Sequence, residues 1–211
     1  MAFLVGGANS AADTGYDIDN SCRFETDTYM TKSISSGNTR TFTLSFWVKK
    51  TRAPNGSYEY LASFFQDSNN RISIGFYNDD TFFVYAEDGG AARLYLKTNK
   101  VFRDPAAWYH IAIAIDTTQG TNTNRAKIYV NGVQETSLSQ TTYPDEDQEL
   151  ILNTNFYVGV YDTSVNWFHG YMAEYVYIDG TALAPSSFGE TDEDSGIWKP
   201  INVSGLTFGT N

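Results

Sequence analysis

Two clusters of acidic residues are the parts of this sequence that could carry out hydrolytic chemistry, and they are Glu146-Asp-Gln-Glu149 and Glu190-Thr-Asp-Glu-Asp194. Cleavage of a glycosidic bond needs two carboxyl groups that flank it, and alternate positions of a strand bring such a pair onto one face. Neither cluster alternates with apolar residues, and Gly189 and Ser195-Gly196 place the second one in a loop. We therefore expect solvated acidic loops and predict no catalytic residues.

Other catalytic patterns are absent from the sequence. It contains no Gly-x-Ser-x-Gly elbow, no phosphate-binding loop and no zinc-type histidine pair. The two histidines are His110, which lies in an apolar segment beside Trp108, and His169, which lies in a polar stretch before Gly170. We expect His110 to be a structural residue, and His169 could be exposed.

Sugar binding is the better match to the residues present. It requires exposed aromatic rings that stack on sugar faces, with amides or carboxylates nearby for the hydroxyls. The loop between residues 161 and 167 offers this combination, as do Tyr58 with Glu59 and the tripeptide Asn78-Asp-Asp80. The alternative for the loop aromatics is that they pack at the rim of the fold or in a subunit interface. The candidate glycan-binding residues are Tyr161, Asp162, Asn166 and Trp167.

Calcium is the cofactor that this chain could hold, although we expect that none is required. Calcium prefers about six to eight oxygen ligands, and two groups of residues could supply them. Neither group has the ordered spacing of a known calcium loop. If the chain binds calcium, added calcium should raise its melting temperature, because a ligand of the folded state stabilises it. The two groups are Asp162, Asn166 and Asp179, and Asp145, Glu146 and Asp147.

The elements that must position these residues are short strands. From Arg23 onward, segments in which apolar and polar residues alternate are separated by turn residues, which is typical of an all-β sandwich or barrel. In the clearest segment Phe42, Leu44 and Phe46 share one face, while Thr43 and Ser45 share the other. The predicted strands are 41–49, 61–65, 71–77, 82–87, 94–97, 108–116, 125–130, 133–136, 156–161 and 170–179.

Turn signals connect these segments into hairpins. Asn131-Gly132 predicts a type I′ turn, Asn78-Asp-Asp80 predicts a polar turn, and Pro185-Ser-Ser-Phe188 predicts a single helical turn. Nine or ten hairpin-linked strands must close into a barrel or form two stacked sheets. Because aromatic residues make up 16% of the chain, we expect the stacked antiparallel sandwich, whose interior accommodates bulky side chains.

The length of 211 residues fits one sandwich domain. Residues 1–20 show no period and predict an extended arm, residues 21–190 predict the sandwich, and residues 191–211 predict a C-terminal extension. We expect the arm to contact neighbouring subunits or other proteins. Its candidate assembly residues are Phe3, Leu4, Val5 and Tyr16.

The net charge and the cysteine content limit the binding partners and the cellular compartment that we expect for this chain. The net charge is −11, and there is no Lys or Arg between Ile128 and Trp198. Because such a surface repels phosphate groups, we expect neither nucleic acid nor an anionic membrane as partner. Solubility alone is a sufficient explanation of the negative charge. Cys22 is the single cysteine and therefore has no partner for a disulfide within the chain. The first residues do not have the pattern of a signal peptide or membrane span. We therefore expect folding in a cytoplasm and no membrane insertion.

The ordered strand segments resemble those of laminin-G-like, concanavalin-A-like jelly rolls. The resemblance covers about residues 20–190, and it implies the fold without indicating a ligand. The segments that carry it are Thr41-Phe-Thr-Leu-Ser-Phe-Trp-Val48, Trp108-Tyr-His-Ile-Ala-Ile-Ala-Ile-Asp116, Ile128-Tyr-Val-Asn-Gly132 and Gly170-Tyr-Met-Ala-Glu-Tyr-Val-Tyr-Ile178.

The two ends of the chain are similar to tail-fibre and other virion proteins of marine bacteriophages that carry this jelly roll. This resemblance implies a virion component that folds in the bacterial cytoplasm, assembles with other virion proteins as a homo-oligomer such as a trimer, and belongs to a longer chain. The strings that carry it are Gly6-Gly-Ala-Asn-Ser10, Gly15-Tyr-Asp-Ile-Asp-Asn-Ser21, the segment from Ile178 to Asp194, and Trp198-Lys-Pro200.

The leading hypothesis is therefore a bacteriophage structural protein, a fibre or surface appendage, whose jelly roll mediates assembly and attachment to a host surface glycan. The alternatives are a carbohydrate-binding lectin without a structural role, a capsid decoration protein, and a glycanase. The lectin hypothesis depends on the loop aromatics, since Trp167→Ala should then remove glycan binding. The glycanase hypothesis depends on Glu146 and Glu190.

Overall fold

The computed structural model describes residues 16–52 and 57–209, and these form two stacked antiparallel sheets with almost no helix. Strands are numbered in chain order. The six-stranded sheet has the order β1 (Cys22–Phe24), β13 (Gly170–Asp179), β3 (Thr41–Lys50), β8 (Tyr109–Asp116), β9 (Ala126–Val130) and β10 (Val133–Gln134). The seven-stranded sheet has the order β11 (Leu138–Thr142), β7 (Ala91–Val101), β6 (Thr81–Asp88), β5 (Asn70–Phe76), β4 (Glu59–Asp67), β12 (Asn155–Val158) and β2 (Met30–Ser33). The predicted two-sheet sandwich is confirmed.

The core lies between the two sheets and is built by the alternation visible in the sequence. Successive side chains of a strand point to opposite faces, so the inward positions of each strand are apolar. Each large side chain buried here contributes about 1.5–3 kcal/mol. The fully buried members include Phe42, Leu44, Phe46, Phe64, Ile72, Ile74, Phe76, Phe82, Ile111 and Ile115.

The predicted turns have the expected backbone geometry. Asn131 and Gly132 both have positive φ values, 49° and 79°, as a type I′ turn requires, and the flanking residues Val130 and Val133 pair across the hairpin. Asp80 has a φ of 65° and closes its turn by donating its amide to the Tyr77 carbonyl at 3.0 Å. Residues Pro185–Ser187 form a single turn of 3₁₀-helix.

The C-terminal segment packs on the outer face of the six-stranded sheet. There β14 (Gly189–Thr191) pairs with β15 (Trp198–Pro200), and the Trp198 ring covers Gly132, where an added Cβ would lie 2.4 Å from the ring. His110 is fully buried beneath this segment. The expectation that His110 is structural is therefore confirmed.

Some strand boundaries differ from the prediction. The segment 156–161 ends as a strand at Val158 because Gly159 has a φ of 87° and turns the chain. The short strands β1, β2 and β11 were not predicted. They are mostly exposed and polar, so they do not produce the apolar alternation that marks a half-buried strand.

The predicted N-terminal arm is described only from residue 16. Phe3, Leu4 and Val5 lie outside the described residues. The hydroxyl of Tyr16 donates a hydrogen bond of 2.9 Å to the Glu174 carboxylate on β13. No helix in the described part of the chain has the length and apolar character needed to cross a membrane.

Candidate functional site

The loop of residues 159–169 connects β12 to β13 and carries the four predicted glycan-binding residues. Tyr161 lies on the outer face of the seven-stranded sheet, with its ring 4.7 Å from Tyr60 and 5.1 Å from Phe65. Trp167 contacts Tyr29 at 5.8 Å, toward the edge strand β2. The structure therefore places these two aromatic residues in separate clusters.

The two polar candidates of this loop shape its backbone. The Asp162 carboxylate accepts hydrogen bonds from the Ser164 amide at 2.7 Å and the Ser164 hydroxyl at 2.8 Å. Asn166 has a φ of 59°, and its carbonyl accepts a bond of 3.3 Å from the Tyr60 amide. The Asp162 bonds lie within the loop, and the Asn166 bond holds the loop against β4.

The predicted calcium ligands do not come together. Asp162 and Asn166 lie in the loop that precedes Gly170, whereas Asp179 ends β13. At about 3.3 Å per residue, the two ends of that strand are about 30 Å apart. Among the described residues no three His, Cys, Asp or Glu side chains are placed to hold a metal ion. The set Asp162, Asn166 and Asp179 is therefore not one site, and calcium binding stays a prediction.

The acidic clusters are held in surface ion pairs. Arg125 contacts Glu146 at 3.3 Å, and Arg40 contacts Glu149 at 3.2 Å. Lys199 lies 3.4 Å from Glu190 and 3.2 Å from Asp192. Asp145, Glu146 and Asp147 share one exposed turn. These placements fit the expectation of solvated acidic loops.

A concave patch on the outer face of the seven-stranded sheet is the most developed candidate site. We call it the tyrosine bowl. It has a cavity volume of about 330 Å³, at the lower end of the range for small-molecule sites. It is lined by Tyr58, Tyr60, Arg71, Ser73, Tyr77, Phe83, Tyr85 and Tyr95.

The strand register brings these residues together from four strands. On the outward face Ser73 of β5 lies between Ser63 of β4 and Tyr85 of β6, and Tyr85 lies opposite Tyr95 of β7. Directly opposed side chains on one face of an antiparallel pair are close enough to touch. Ser73 therefore forms the floor of the bowl, between aromatic walls.

The walls are aromatic rings that hold one another in place. Near one end Tyr58 packs on Tyr77 with ring centroids 4.6 Å apart, and Phe83 lies 4.9 Å from Tyr77 and 5.6 Å from Tyr60. Most of these pairs meet edge to face, the geometry that aromatic quadrupoles favour. The rings are thus fixed before any ligand arrives, which limits the entropy lost on binding.

The floor and rim of the bowl supply polar atoms. Ser73 is 2% exposed, and its hydroxyl has no hydrogen-bond partner among the described residues. Arg71 lies between the rings of Tyr85 and Tyr161, at 5.5 and 5.8 Å, and forms an ion pair of 2.6 Å with Glu87. A buried hydroxyl without a partner costs about 1–3 kcal/mol. A ligand hydroxyl that bonded Ser73 would remove this cost.

The pKa values of three ionisable side chains in and beside the bowl are shifted away from neutral pH. Burial raises the pKa of Tyr60, and burial together with the hydrogen bond to Tyr77 raises the pKa of Tyr95. Desolvation raises the pKa of Asp79, but hydrogen bonds from Thr81 and Lys97 outweigh it and hold that pKa at about 2. The Lys97 ammonium lies 3.0 Å from Asp79 and 4.2 Å above the Tyr77 ring.

A buried ion cluster supports one end of the bowl. Lys50, Glu59 and Asp80 are each 2% exposed, and the Lys50 ammonium contacts Asp80 and lies 3.5 Å from Glu59. The Arg52 Nε donates to Glu59 at 3.1 Å, and Arg103 lies 3.3 Å from Asp80. Both carboxylates are buried in ion pairs, whereas Tyr58 lines the bowl, and sugar contact by these candidates stays a prediction.

The sequence identified only part of the bowl. Tyr58 and the neighbouring Tyr161 were candidates, but Arg71, Ser73 and Tyr95 were not. The available signal was alternation in the segment Arg71-Ile-Ser-Ile-Gly-Phe-Tyr77, where the residues between the apolar ones must point away from the core. Which strands lie beside this segment depends on the sheet order, which alternation does not reveal.

The sequence matches one protein family over most of its length. The model of the family described as the concanavalin A-like lectin/glucanases superfamily, Laminin_G_3, matches residues 24–189. The chain therefore belongs to this superfamily, and the predicted concanavalin-A-like jelly roll is confirmed. No curated protein matches this sequence.

Solved structures with the same fold are distant in sequence. A heptameric SAP-like pentraxin from Limulus polyphemus is 15% identical with a TM-score of 0.51, and the match covers 74% of this chain and 71% of that chain. The LG4-5 domains of the mouse laminin alpha1 chain are 13% identical with a TM-score of 0.54, covering 76% and 43%. The NanB sialidase K499G mutant from Streptococcus pneumoniae is 12% identical with a TM-score of 0.53, covering 83% and 29%. At these identities the likeness establishes the fold alone.

Proposed function

We propose that this protein is a carbohydrate-binding module and that the tyrosine bowl is its binding site. The observation that carries the proposal is the unpartnered Ser73 hydroxyl at the floor of a cavity walled by aromatic rings. Aromatic rings bind the apolar faces of sugars, and a few convergent polar groups fix their orientation. The lectin-type fold of the family supports the same function.

The test is binding of the purified chain to an immobilised glycan panel. Tyr95→Ala removes one wall of the bowl, and we expect it to lower affinity at least about tenfold on any glycan bound by the parent. Trp167→Ala is the matched control because that ring lies beside Tyr29, away from the bowl. If Trp167→Ala loses binding and Tyr95→Ala does not, the glycan-binding site lies beside Trp167 and Tyr29 and not in the tyrosine bowl.

We also propose that this module belongs to a bacteriophage virion, as a fibre, surface appendage or capsid decoration protein that acts in attachment to a host glycan. The support is the resemblance of the two terminal strings to virion proteins of marine phages. In this proposal the partners of the protein are other virion proteins. The protein forms a homo-oligomer such as a trimer and is assembled in the host cytoplasm.

Deletion of residues 1–20 tests the assembly role. We expect virus particles assembled with the truncated chain to lack this protein. The truncated chain should still bind glycan, because the tyrosine bowl lies on the outer face of the seven-stranded sheet. Normal incorporation would count against the arm as the point of attachment.

Light scattering of the full chain tests the oligomeric state, since a monomer would contradict the proposed trimer.

A further inference from the structure

The loop of residues 159–169 closes one side of the tyrosine bowl. The Ser63 hydroxyl donates a hydrogen bond to the Tyr161 carbonyl, and the Gly159 amide donates to the Leu61 carbonyl at 3.0 Å. Ser63, directly opposite the floor residue Ser73, is fully buried. One strand away from the floor, the outer face of the sheet is therefore covered by backbone.

Side chains complete this wall. The Tyr161 ring packs against Tyr60 at 4.7 Å and Phe65 at 5.1 Å, and it lies 5.8 Å from the Arg71 guanidinium. These residues span the width of the bowl from the Phe83 end to the Arg71 end. A glycan chain that lay across the strands could not continue in this direction.

On the opposite side of the bowl, the described residues leave the edge of the sheet exposed. Beyond Tyr95 the sheet ends at β11, where Thr142 lies opposite Tyr95 and Gln140 lies opposite Lys97. Thr142 and Gln140 are exposed. Three strand spacings of about 4.8 Å separate Ser73 from this edge, which leaves about 14 Å of face with hydroxyl and amide groups available.

The cations that line or border the bowl are already paired with carboxylates. Arg71 is paired with Glu87, which also accepts a hydrogen bond of 3.2 Å from the Tyr85 hydroxyl, and Lys97 is paired with Asp79. A sugar carboxylate would meet two carboxylates here and would compete with them for their cations. Like charges at close range disfavour such a ligand.

We propose that the tyrosine bowl binds the end of an uncharged glycan chain. The terminal sugar ring lies over Ser73 against the wall formed by Tyr161, and the chain leaves across Tyr95 toward Thr142 and Gln140. This inference rests on the proposed carbohydrate-binding function and adds to it the kind of glycan and the part of the chain that is recognised.

The first test is the number of protein molecules bound per glycan chain. The probes are linear xylan, mannan, galactan and arabinan, each as a hexasaccharide and as a long polymer, measured by calorimetry. A site that accepts only chain ends gives one protein per chain at both lengths. A number that grows with chain length would overturn the inference and leave the carbohydrate-binding function standing.

Two variants locate the closed and open sides. Tyr161→Ala removes the ring of the wall but keeps the backbone that covers Ser63, so we expect affinity to fall about threefold to tenfold with one protein still bound per polymer chain. The control Tyr29→Ala removes an exposed ring beyond the loop and should leave the affinity unchanged. The double variant Gln140→Ala with Thr142→Ala changes only exposed residues. It should lower hexasaccharide affinity about threefold to tenfold without affecting the monosaccharide.

Charged probes separate this inference from the proposed function. Binding only to polygalacturonate or to sialylated lactose, with no uncharged probe bound, would overturn the inference while keeping a carbohydrate-binding protein. Binding to none of the charged or uncharged probes would overturn the proposed function itself.

Discussion

The Trp198 indole donates a hydrogen bond of 3.0 Å to Nδ1 of His110. Because an indole N–H can only donate, Nδ1 must be the unprotonated nitrogen, so the imidazole carries its proton on Nε2. That nitrogen lies 2.9 Å from the Ser45 hydroxyl and donates to it. The contact between the C-terminal segment and the six-stranded sheet therefore requires a neutral His110.

His110 should make the protein less stable in weak acid. Burial lowers its pKa to about 4, whereas an unfolded histidine has a pKa of about 6.5. Between these values the unfolded chain binds a proton that the folded chain does not, so the free energy of unfolding falls as the pH falls from about 6.5 to about 4. The expected loss from this group is about 3 kcal/mol.

Urea unfolding of the parent and of His110→Gln across this pH range measures the effect. The glutamine side chain cannot titrate, so the variant should lose about 3 kcal/mol less than the parent. Both proteins contain the same carboxylates, whose contribution cancels in the comparison. Parallel stability curves would show that His110 does not carry the pH dependence.

Removal of Lys50 should destabilise the protein strongly. Its ammonium is the buried partner of Glu59 and Asp80, and breaking a buried ion pair from one side costs about 3–5 kcal/mol because a charge is left uncompensated. We expect Lys50→Met to lose this amount in chemical denaturation. Lys49→Met is the matched control, because the neighbouring side chain is partly exposed on the other face, and a change within about 0.5 kcal/mol is expected. Equal losses in both variants would argue against the ion cluster as the cause.

The sequence predicted the parts of the fold that are fixed by local pattern. β3, β8 and β13 alternate strongly because each has an apolar core face, and the turn at Asn131 follows from its own dipeptide. The exposed strands β2 and β11 were missed because they bury little apolar surface and are held mainly by pairing with neighbours. Pairing partners distant in the chain are set by packing and not by local propensity.

The candidate site was harder to predict for the same reason. Tyr161 was identified because it lies in a loop rich in polar and aromatic residues, and Tyr58 because it stands beside an acidic residue. Ser73 carries no such signal, since a serine in a strand gives no indication that its hydroxyl will lack a partner. It becomes a site residue only when the register places it between Ser63 and Tyr85.

Ser73→Ala should separate binding from stability. In the described part of the chain the buried Ser73 hydroxyl has no hydrogen-bond partner, so its removal should leave the free energy of unfolding unchanged or raise it by about 1 kcal/mol. Glycan affinity should fall about threefold to tenfold, because a ligand hydroxyl loses its bond. Thermal unfolding and calorimetric titration measure the two quantities.

The matched control for this variant is Ser63→Ala on the next strand. The Ser63 hydroxyl donates to the Tyr161 carbonyl, so its loss leaves that carbonyl unpaired and should cost about 1–3 kcal/mol in stability. The two serines should thus behave oppositely in unfolding experiments. A clear loss of stability in Ser73→Ala would mean that its hydroxyl is already bonded in the free protein, which would remove the main support for the site.

Four tyrosines in and beside the bowl should remain protonated in solutions that ionise free tyrosine. Burial raises the pKa of Tyr60, Tyr85, Tyr95 and Tyr161, while the unfolded-state pKa is about 10. The unfolded chain therefore loses these protons first, and the free energy of unfolding falls as the pH rises above about 10. Up to that pH these four tyrosines keep their protons, so we expect glycan affinity to be constant from about pH 6 to about pH 10. Phenolate absorbance of the native protein should show a fraction of tyrosines that titrates later than in the denatured protein, and a single transition near the unfolded value would contradict the buried arrangement of the walls.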